Sequence, residues 1–280
     1  MGLSLGLIGY PINHSLSPWI HHQFMEKLGL EGEYVLYETS SDQLKKTVYQ
    51  LMNKQVDGFN ITVPYKQDII PLLDELHPDA EKIGAVNTVV KESGKWTGYN
   101  TDGQGYVRSV KTEFPELFTS KSKVLILGAG GAARGIYRAL VQEPFSTIDI
   151  ANRTLKKAES FIPLKEDHVS TDVLSFSEAE ENLYKYDYIV QTTSVGMKPN
   201  INDKVLSLRK LKPKTVVSDI VYQPLMTTLL KDAIDRGGRI HQGHAMLLYQ
   251  AQLAFEIWTN KRPPLDDTLI KLEERLRGNS

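Results

Sequence analysis

The chain contains no cysteine. That absence excludes a disulfide framework, a thiolate nucleophile, a zinc–thiolate centre and an iron–sulfur cluster, and it fits a reducing compartment. A surplus of charge of one sign is also missing: 33 Lys and Arg stand against 34 Asp and Glu, a formal net charge of −1. Binding to a phosphate backbone or to an anionic membrane draws on clustered cations, so neither nucleic acid nor membrane is expected as a partner. Long apolar runs are lacking too. Residues 1–25 carry no Asp, Glu, Lys or Arg, but the apolar stretch breaks at Tyr10-Pro11 and the polar Asn13, His14, Ser15 and Ser17 follow. With no basic leader, this stretch is not expected to be a signal peptide. A second uncharged stretch, 240–255, is too short to span a bilayer and carries His241, Gln242, His244, Gln250 and Gln252. The expectation is a soluble, cytoplasmic protein.

The composition that is present, 41% hydrophobic and 24% charged over 280 residues, is that of an ordinary globular protein. Such a length suggests two domains and a core that needs no covalent staple. Short apolar runs alternate with amphipathic segments. Leu5–Ile8 reads as a strand, and Ser17-Pro18 opens a helix with Ser17 as N-cap. Tyr34–Glu38 is a second strand; Ser40 with Gln43 forms a capping box ahead of Leu44, Val48 and Leu51 at helical spacing. Gly58–Val63 is a third strand, Ile69, Ile70, Leu73 and Leu76 mark a helical stripe, and Ala85–Lys91 is a fourth strand. A hinge is expected within Asn100–Ser122. Beyond it come strands at 123–127, 148–150, 188–190 and 216–218, interleaved with helices at 132–141 and 155–161, then closing helices at 245–257 and 268–276. Alternating strands and helices predict α/β architecture with parallel sheets.

Leu127 is followed by Gly128-Ala129-Gly130-Gly131-Ala132-Ala133, the G-x-G-x-x-A form of a dinucleotide turn, placed between a strand and a helix as the motif requires. The phosphates would rest on exposed N–H groups at the helix start. At the end of the next strand, where an NAD enzyme places an acid for the ribose hydroxyl, the chain reads Asn152-Arg153-Thr154. A carboxylate would repel a 2′-phosphate, whereas the Arg153 guanidinium binds one, so NADP(H) is the expected cofactor.

Polar segments cluster where open α/β sheets place ligands: Asn13–Pro18, Phe59–Lys66, Ala85–Thr88, Gly98–Gly103 and Gly243–Gln250. Together with GYPINHSLSP, FNITVPYK, AVNTVV, GYNTDGQG, LGAGGAARG, ANRT, TSVGM, SDIVYQP and GHAMLLYQAQLAFEIWT, in that order, they make the chain resemble the shikimate dehydrogenase family over nearly its whole length. The resemblance implies two α/β domains, an N-terminal substrate-binding sheet domain (1–102) and a Rossmann domain for NADP (103–242), with the active site in the cleft between them. Residues 243–280 are expected to return as helices to the first domain. It further implies reversible reduction of 3-dehydroshikimate to shikimate with NADPH, in aromatic amino acid biosynthesis, by a monomer or homodimer.

By matching positions, Ser15, Ser17 and Tyr222 would bind the substrate carboxylate, and Asn60, Thr62, Asn87 and Gln250 the ring hydroxyls. Lys66 and Asp102 would be catalytic, the lysine stabilising the oxyanion and moving its proton. Gly128, Ala129, Gly130, Gly131, Ala132, Asn152, Arg153, Thr154, Thr192, Ile220, Gly243 and Met246 would line the cofactor. Gln191 departs from the family, which commonly carries Asn there. Bland readings stand beside these: Ser17 as an N-cap, Asp102 as a helix cap, Lys66 as a solvated lysine. His14, His21 and His22 lack acid or thiolate partners at ligand spacing, so no metal is expected. A quinate/shikimate paralogue using NAD, and a nucleotide-sensing protein that lost its chemistry, remain the alternatives.

Overall fold

The computed structural model describes residues 2–265 and 267–278. Met1, Asp266, Asn279 and Ser280, which fall within the expected domain limits, lie outside the described residues. Contacts divide the chain into two units, Met1–Thr101 with Gln250–Thr268, and Asp102–Tyr249 with Leu269–Ser280. Gln250–Thr268 thus groups with the first unit, whereas Asp102, 243–249 and 269–278, expected there too, group with the second.

In the first unit, β1 (Leu3–Gly9), α1 (Ser17–Lys27), β2 (Gly32–Glu38), α2 (Leu44–Asn53) and β3 (Gly58–Ile61) form two successive βαβ crossovers. Next come β4 (Glu75–Leu76), α3 (Pro78–Ile83), β5 (Thr88–Glu92) and β6 (Lys95–Tyr99). The six strands run in the order β2-β1-β3-β5-β6-β4, with β1 parallel to both β2 and β3. β5 is antiparallel to β3 and β6. Positive φ at Ser93 and Gly94 gives the tight turn that matches the twist of β5 and β6. Leu44, Val48 and Leu51 on α2 pack onto Ile8, Phe59, Ile61 and Val89, the alternate residues of the sheet.

Three local expectations fail here for identifiable reasons. Helix α1 starts with Ser17 inside it; the N-cap is Leu16, which makes no side-chain cap, and the Ser17 N–H donates to Ser15 Oγ at 3.2 Å. The Ser40–Gln43 box does not form, because Asp42 accepts from both side chains, at 2.6 and 2.9 Å. The 69–76 stripe is no helix. It is a 3₁₀ turn at Ile70–Leu72 followed by β4, whose backbone pairs with β6, while the Asp74 carboxylate accepts from the Trp96 N–H at 2.8 Å.

The second unit begins with α4 (Asp102–Glu113), which fills the first half of the expected hinge. β7 (Lys123–Leu127), α5 (Gly131–Leu140), β8 (Thr147–Ala151), α6 (Leu155–Glu159), β9 (Val173–Leu174) and α7 (Phe176–Asn182) follow. Then come β10 (Tyr188–Gln191), β11 (Val216–Asp219), α8 (Thr228–Asp235) and β12 (Arg239–Gln242). The sheet is parallel throughout, in the order β12-β11-β10-β7-β8-β9. That is the doubly wound dinucleotide-binding order, with its switch point between β7 and β10. Side chains alternate across the sheet: Val124 and Ile126 meet α4 and α5 on one face, while Leu125 and Leu127 meet Leu183, Leu229 and Leu230 on the other.

α9 (Gly243–Thr259) crosses the division between Tyr249 and Gln250, and α10 (Thr268–Gly278) closes the described chain. Near its start Met246 packs on the second unit's core. Further along, Phe255 and Trp258 lie against His21, with ring centroids 6.0 and 5.2 Å away. Among the described residues no helix is long and apolar enough to cross a membrane.

Candidate active site

In the first unit the topology decides which residues meet. β1 and β3 are neighbours that leave in opposite directions along the sheet order, so their carboxyl ends form a switch point. Ser15 and Ser17 follow β1; Thr62 and Lys66 follow β3. Because β5 runs antiparallel, its start (Asn87-Thr88) and the end of β6 (Asn100-Thr101) come to that same edge.

A buried amide network holds this edge. Tyr34 Oη donates to Asn60 Oδ1 at 2.7 Å, and Asn60 Nδ2 donates to the Asn87 carbonyl at 2.9 Å and to Thr88 Oγ1 at 3.0 Å. Both Asn60 amide hydrogens are thus used within the scaffold, and Asn60 is buried. It braces β3 against β2 and the start of β5. Asn87 Oδ1 accepts from the Thr101 N–H at 2.9 Å, and Asn87 Nδ2 donates to Thr101 Oγ1 at 2.9 Å and, over a long 3.5 Å, to Gln250 Oε1. The fold thus brings Asn87 and Gln250, 163 positions apart, next to each other. Lys66 is half-buried on the turn after β3, where its carbonyl accepts from the Val86 N–H at 2.8 Å and ties the turn to the segment leading into Asn87. Asp102, the other catalytic candidate, is the first residue of α4 and belongs to the second unit.

In the second unit the glycine turn lies between β7 and α5. Gly128 has φ +112°, and a Cβ there would stand 2.7 Å from Thr192 Oγ1, so the turn requires glycine. Above Gly130 and Gly131 a Cβ would meet nothing within 4 Å, and Gly130, the N-cap of α5, provides no side-chain cap. The first turn thus begins without a side-chain cap at the positive end of a ten-residue helix, the kind of arrangement a phosphate fills. Ala129 and Ala132 flank the turn, half-buried. At the end of β8, Asn152 Nδ2 donates to the Thr154 carbonyl at 2.8 Å and holds a loop from which Arg153 and Thr154 are exposed. Lys156 and Lys157 in α6, which sequence reasoning did not single out, add positive charge just after it.

Beyond β10 and β11, Thr192–Ser194 with Met197 and Ile220–Gln223 line a pocket of about 280 Å³. Thr192 Oγ1 donates to the Leu127 carbonyl at 2.7 Å, joining this pocket to the glycine turn. Gly243 allows α9 to begin against the backbone of 220–221, since a Cβ there would stand 2.3 Å from the Ile220 carbonyl oxygen. Its role is close packing, with Met246 one turn on. Tyr222, grouped by the sequence with Ser15 and Ser17, lies in the second unit and lines this pocket, where burial raises its hydroxyl pKa. Met197 and Val221 were missed, although both fall in the TSVGM and SDIVYQP runs. Among the described residues no group of three or more His, Asp or Glu could hold a metal ion.

Family models match the chain in three stretches: a shikimate dehydrogenase substrate binding domain over 7–89, a shikimate/quinate 5-dehydrogenase domain over 109–221, and a shikimate 5′-dehydrogenase C-terminal domain over 243–269. A shikimate dehydrogenase (NADP(+)) of Oceanobacillus iheyensis is 49% identical, covering 99% of this chain and 100% of the relative. The structure of shikimate 5-dehydrogenase from Listeria monocytogenes with shikimate and NAD is similar at a TM-score of 0.89 and 34% identity, over 97% of this chain and 96% of that one. The Thermus thermophilus enzyme with NADP(H) and shikimate is similar at a TM-score of 0.85 and 30% identity, over 99% and 100%.

Proposed function

The chain belongs to the shikimate dehydrogenase family, and from that premise we propose how its residues divide the family's reaction. It is an NADP-dependent oxidoreductase that reversibly reduces 3-dehydroshikimate to shikimate in aromatic amino acid biosynthesis. The observation that best supports our cofactor site is the uncapped start of α5, open above Gly130 and Gly131, followed at the end of β8 by Arg153 and by no carboxylate. In this reading the first-turn amides carry the pyrophosphate and Arg153, with Asn152 and Thr154, holds the 2′-phosphate. When bound, NADPH supplies the hydride that reaches the substrate's carbonyl carbon.

The rest of the work falls to side chains. Ser15 and Ser17 donate their hydroxyls to the substrate carboxylate, and Tyr222 offers its own from the pocket. Thr62, Asn87 and Gln250 bind ring hydroxyls, with Asn60 bracing them through the Asn87 carbonyl. The Lys66 ammonium stabilises the negative charge growing on the carbonyl oxygen and gives that oxygen a proton; in the reverse direction it takes the proton back. The Asp102 carboxylate accepts a hydrogen bond from a substrate hydroxyl. A site made of hydrogen-bonding groups rejects an analogue lacking the matching hydroxyl far more strongly than an apolar pocket does. We place the protein in the cytoplasm, as a monomer or homodimer.

The test is turnover of 3-dehydroshikimate with NADPH and with NADH, and of shikimate and quinate in the oxidative direction. NADPH and shikimate should dominate. Absence of NADPH-dependent turnover sinks the assignment, and equal rates with NADH and quinate would move the chain to the quinate-using branch.

A further inference from the structure

We propose that Gln191 and Asp219 are positioning residues for the nicotinamide half of the cofactor site, acting on it through the two segments that line the 192–197/220–223 pocket. The inference rests on reading that pocket as part of the NADP site. In a doubly wound sheet the two mononucleotide halves of the cofactor lie on either side of the switch point. The β8 side carries Arg153 for the adenosine half, which leaves the pocket beyond β10 and β11 to the nicotinamide half.

Gln191 ends β10 and Asp219 ends β11; the two residues are register partners, 1% and 0% exposed. Gln191 Nε2 donates to the Thr193 carbonyl at 3.1 Å, the Val195 carbonyl at 3.2 Å and Asp219 Oδ1 at 3.3 Å. Its Oε1 accepts from the Thr193 N–H at 2.5 Å. One amide therefore curls the 192–197 segment around itself. Asp219 does the same for the other wall: Oδ1 accepts from the Val221 N–H at 3.0 Å and Oδ2 from Thr227 Oγ1 at 2.7 Å. Thr227 in turn caps α8, accepting from the Leu230 N–H. The two walls are joined at one atom, Asp219 Oδ1, which receives donors from both.

The Asp219 carboxylate takes three donors, two on Oδ1 and one on Oδ2. An asparagine there keeps one oxygen for the Gln191 and Val221 donors but turns its NH₂ toward Thr227 Oγ1, which must then accept from it instead of donating, beside the Leu230 N–H it already accepts from. Gln191 is likewise matched to its place. An Asn here would be one methylene shorter; the longer glutamine amide spans from the strand end to both loop carbonyls and to Asp219. A buried carboxylate is costly, and burial pushes Asp219 up to about 6 against its three donors. A carboxylate there holds both walls with charge-assisted hydrogen bonds, which a neutral side chain would make weaker.

The experiment compares binding of NADPH with binding of 2′,5′-ADP, which carries the adenosine half and no nicotinamide, in Gln191→Leu, Gln191→Asn and Asp219→Asn. Gln191→Leu and Asp219→Asn should weaken NADPH by roughly tenfold or more, the loss of one buried charge-assisted hydrogen bond, and leave 2′,5′-ADP within about twofold. Gln191→Asn, which restores an amide, should recover part of the NADPH affinity. Equal losses for both ligands would reduce the pair to general scaffold, and unchanged NADPH binding in both disruptive variants would overturn the proposal outright. If either variant fails to fold, Thr227→Val removes one donor from the same carboxylate and carries the same comparison. A wild-type protein that binds neither ligand would instead refute the cofactor reading on which the proposal stands.

Discussion

A single methyl group at Gly130 separates the demands of the fold from the demands of the cofactor. Gly130 has φ −93° and ψ −173°, an extended conformation open to any residue, and an added Cβ meets nothing within 4 Å. Two small terms act on stability: alanine restricts the unfolded chain, worth about 0.4–1 kcal/mol, and is a poorer N-cap than glycine by a similar amount. They nearly cancel, so Gly130→Ala should unfold within a few degrees of wild type. The methyl projects into the open space beside the start of α5, where the proposed reading seats the pyrophosphate. A phosphate oxygen on a first-turn N–H sits about 2.9 Å away, whereas carbon and oxygen approach only to about 3.3 Å without strain. The pyrophosphate must retreat and lose at least one charge-assisted hydrogen bond, worth about 1.5–3 kcal/mol. NADPH affinity should therefore fall roughly 10- to 150-fold. Titration of NADPH beside a melting curve measures both quantities. Gly128→Ala is the opposite control: φ +112° and a Cβ 2.7 Å from Thr192 Oγ1 should cost about 1–3 kcal/mol of stability. Wild-type NADPH affinity in a folded Gly130→Ala would refute the placement of the pyrophosphate on this turn.

Arg153→Ala should raise KM for NADPH about tenfold, the low end for an exposed charge-assisted contact, and leave KM for NADH nearly unchanged; a parallel rise in both would make Arg153 a loop support. Lys66→Ala should lower kcat by about 10²–10⁴-fold with NADPH affinity by direct titration intact, whereas a raised KM at normal kcat would reduce Lys66 to a binding residue. His21, buried against Tyr34 with ring centroids 4.4 Å apart, has its pKa lowered to about 3 by burial. The folded state then binds fewer protons than the unfolded one between about pH 6.5 and 3, so this group's stabilising effect is complete above 6.5 and lost as pH falls through that window. By linkage the loss is about 2 kcal/mol at pH 5. His21→Leu should flatten the fall in melting temperature between pH 7 and 5; an unchanged slope would show that His21 titrates normally.

The glycine turn, the absence of an acid beside Arg153 and the strands around them were legible from sequence because each depends on near neighbours. A parallel strand covered on both faces reads as an uninterrupted apolar run, as Lys123–Leu127 does, and a phosphate-binding turn needs small residues within six positions. The family motifs, read in order, also offered Lys66, Asp102, Asn87 and Gln250 as candidates. Local pattern failed where a distant partner competed. Apolar spacing over 69–76 fits a helix, but β6 offered its backbone to β4, and Asp42 drew Ser40 and Gln43 away from the α2 start. The family motif also offered Asn60 for the substrate; that Tyr34, Asn87 and Thr88 engage its hydrogen-bonding groups is set by sheet order and could not be read from sequence. Asp219 carried no signal of its own within SDIVYQP, since its meaning lies in three donors, one at the end of β10 and two on the connection from β11 to α8. Residue type and spacing therefore determined which chemistry the chain could hold. Tertiary structure decided which polar groups are already satisfied within the protein, because hydrogen-bond saturation depends on neighbours that sequence separation does not reveal.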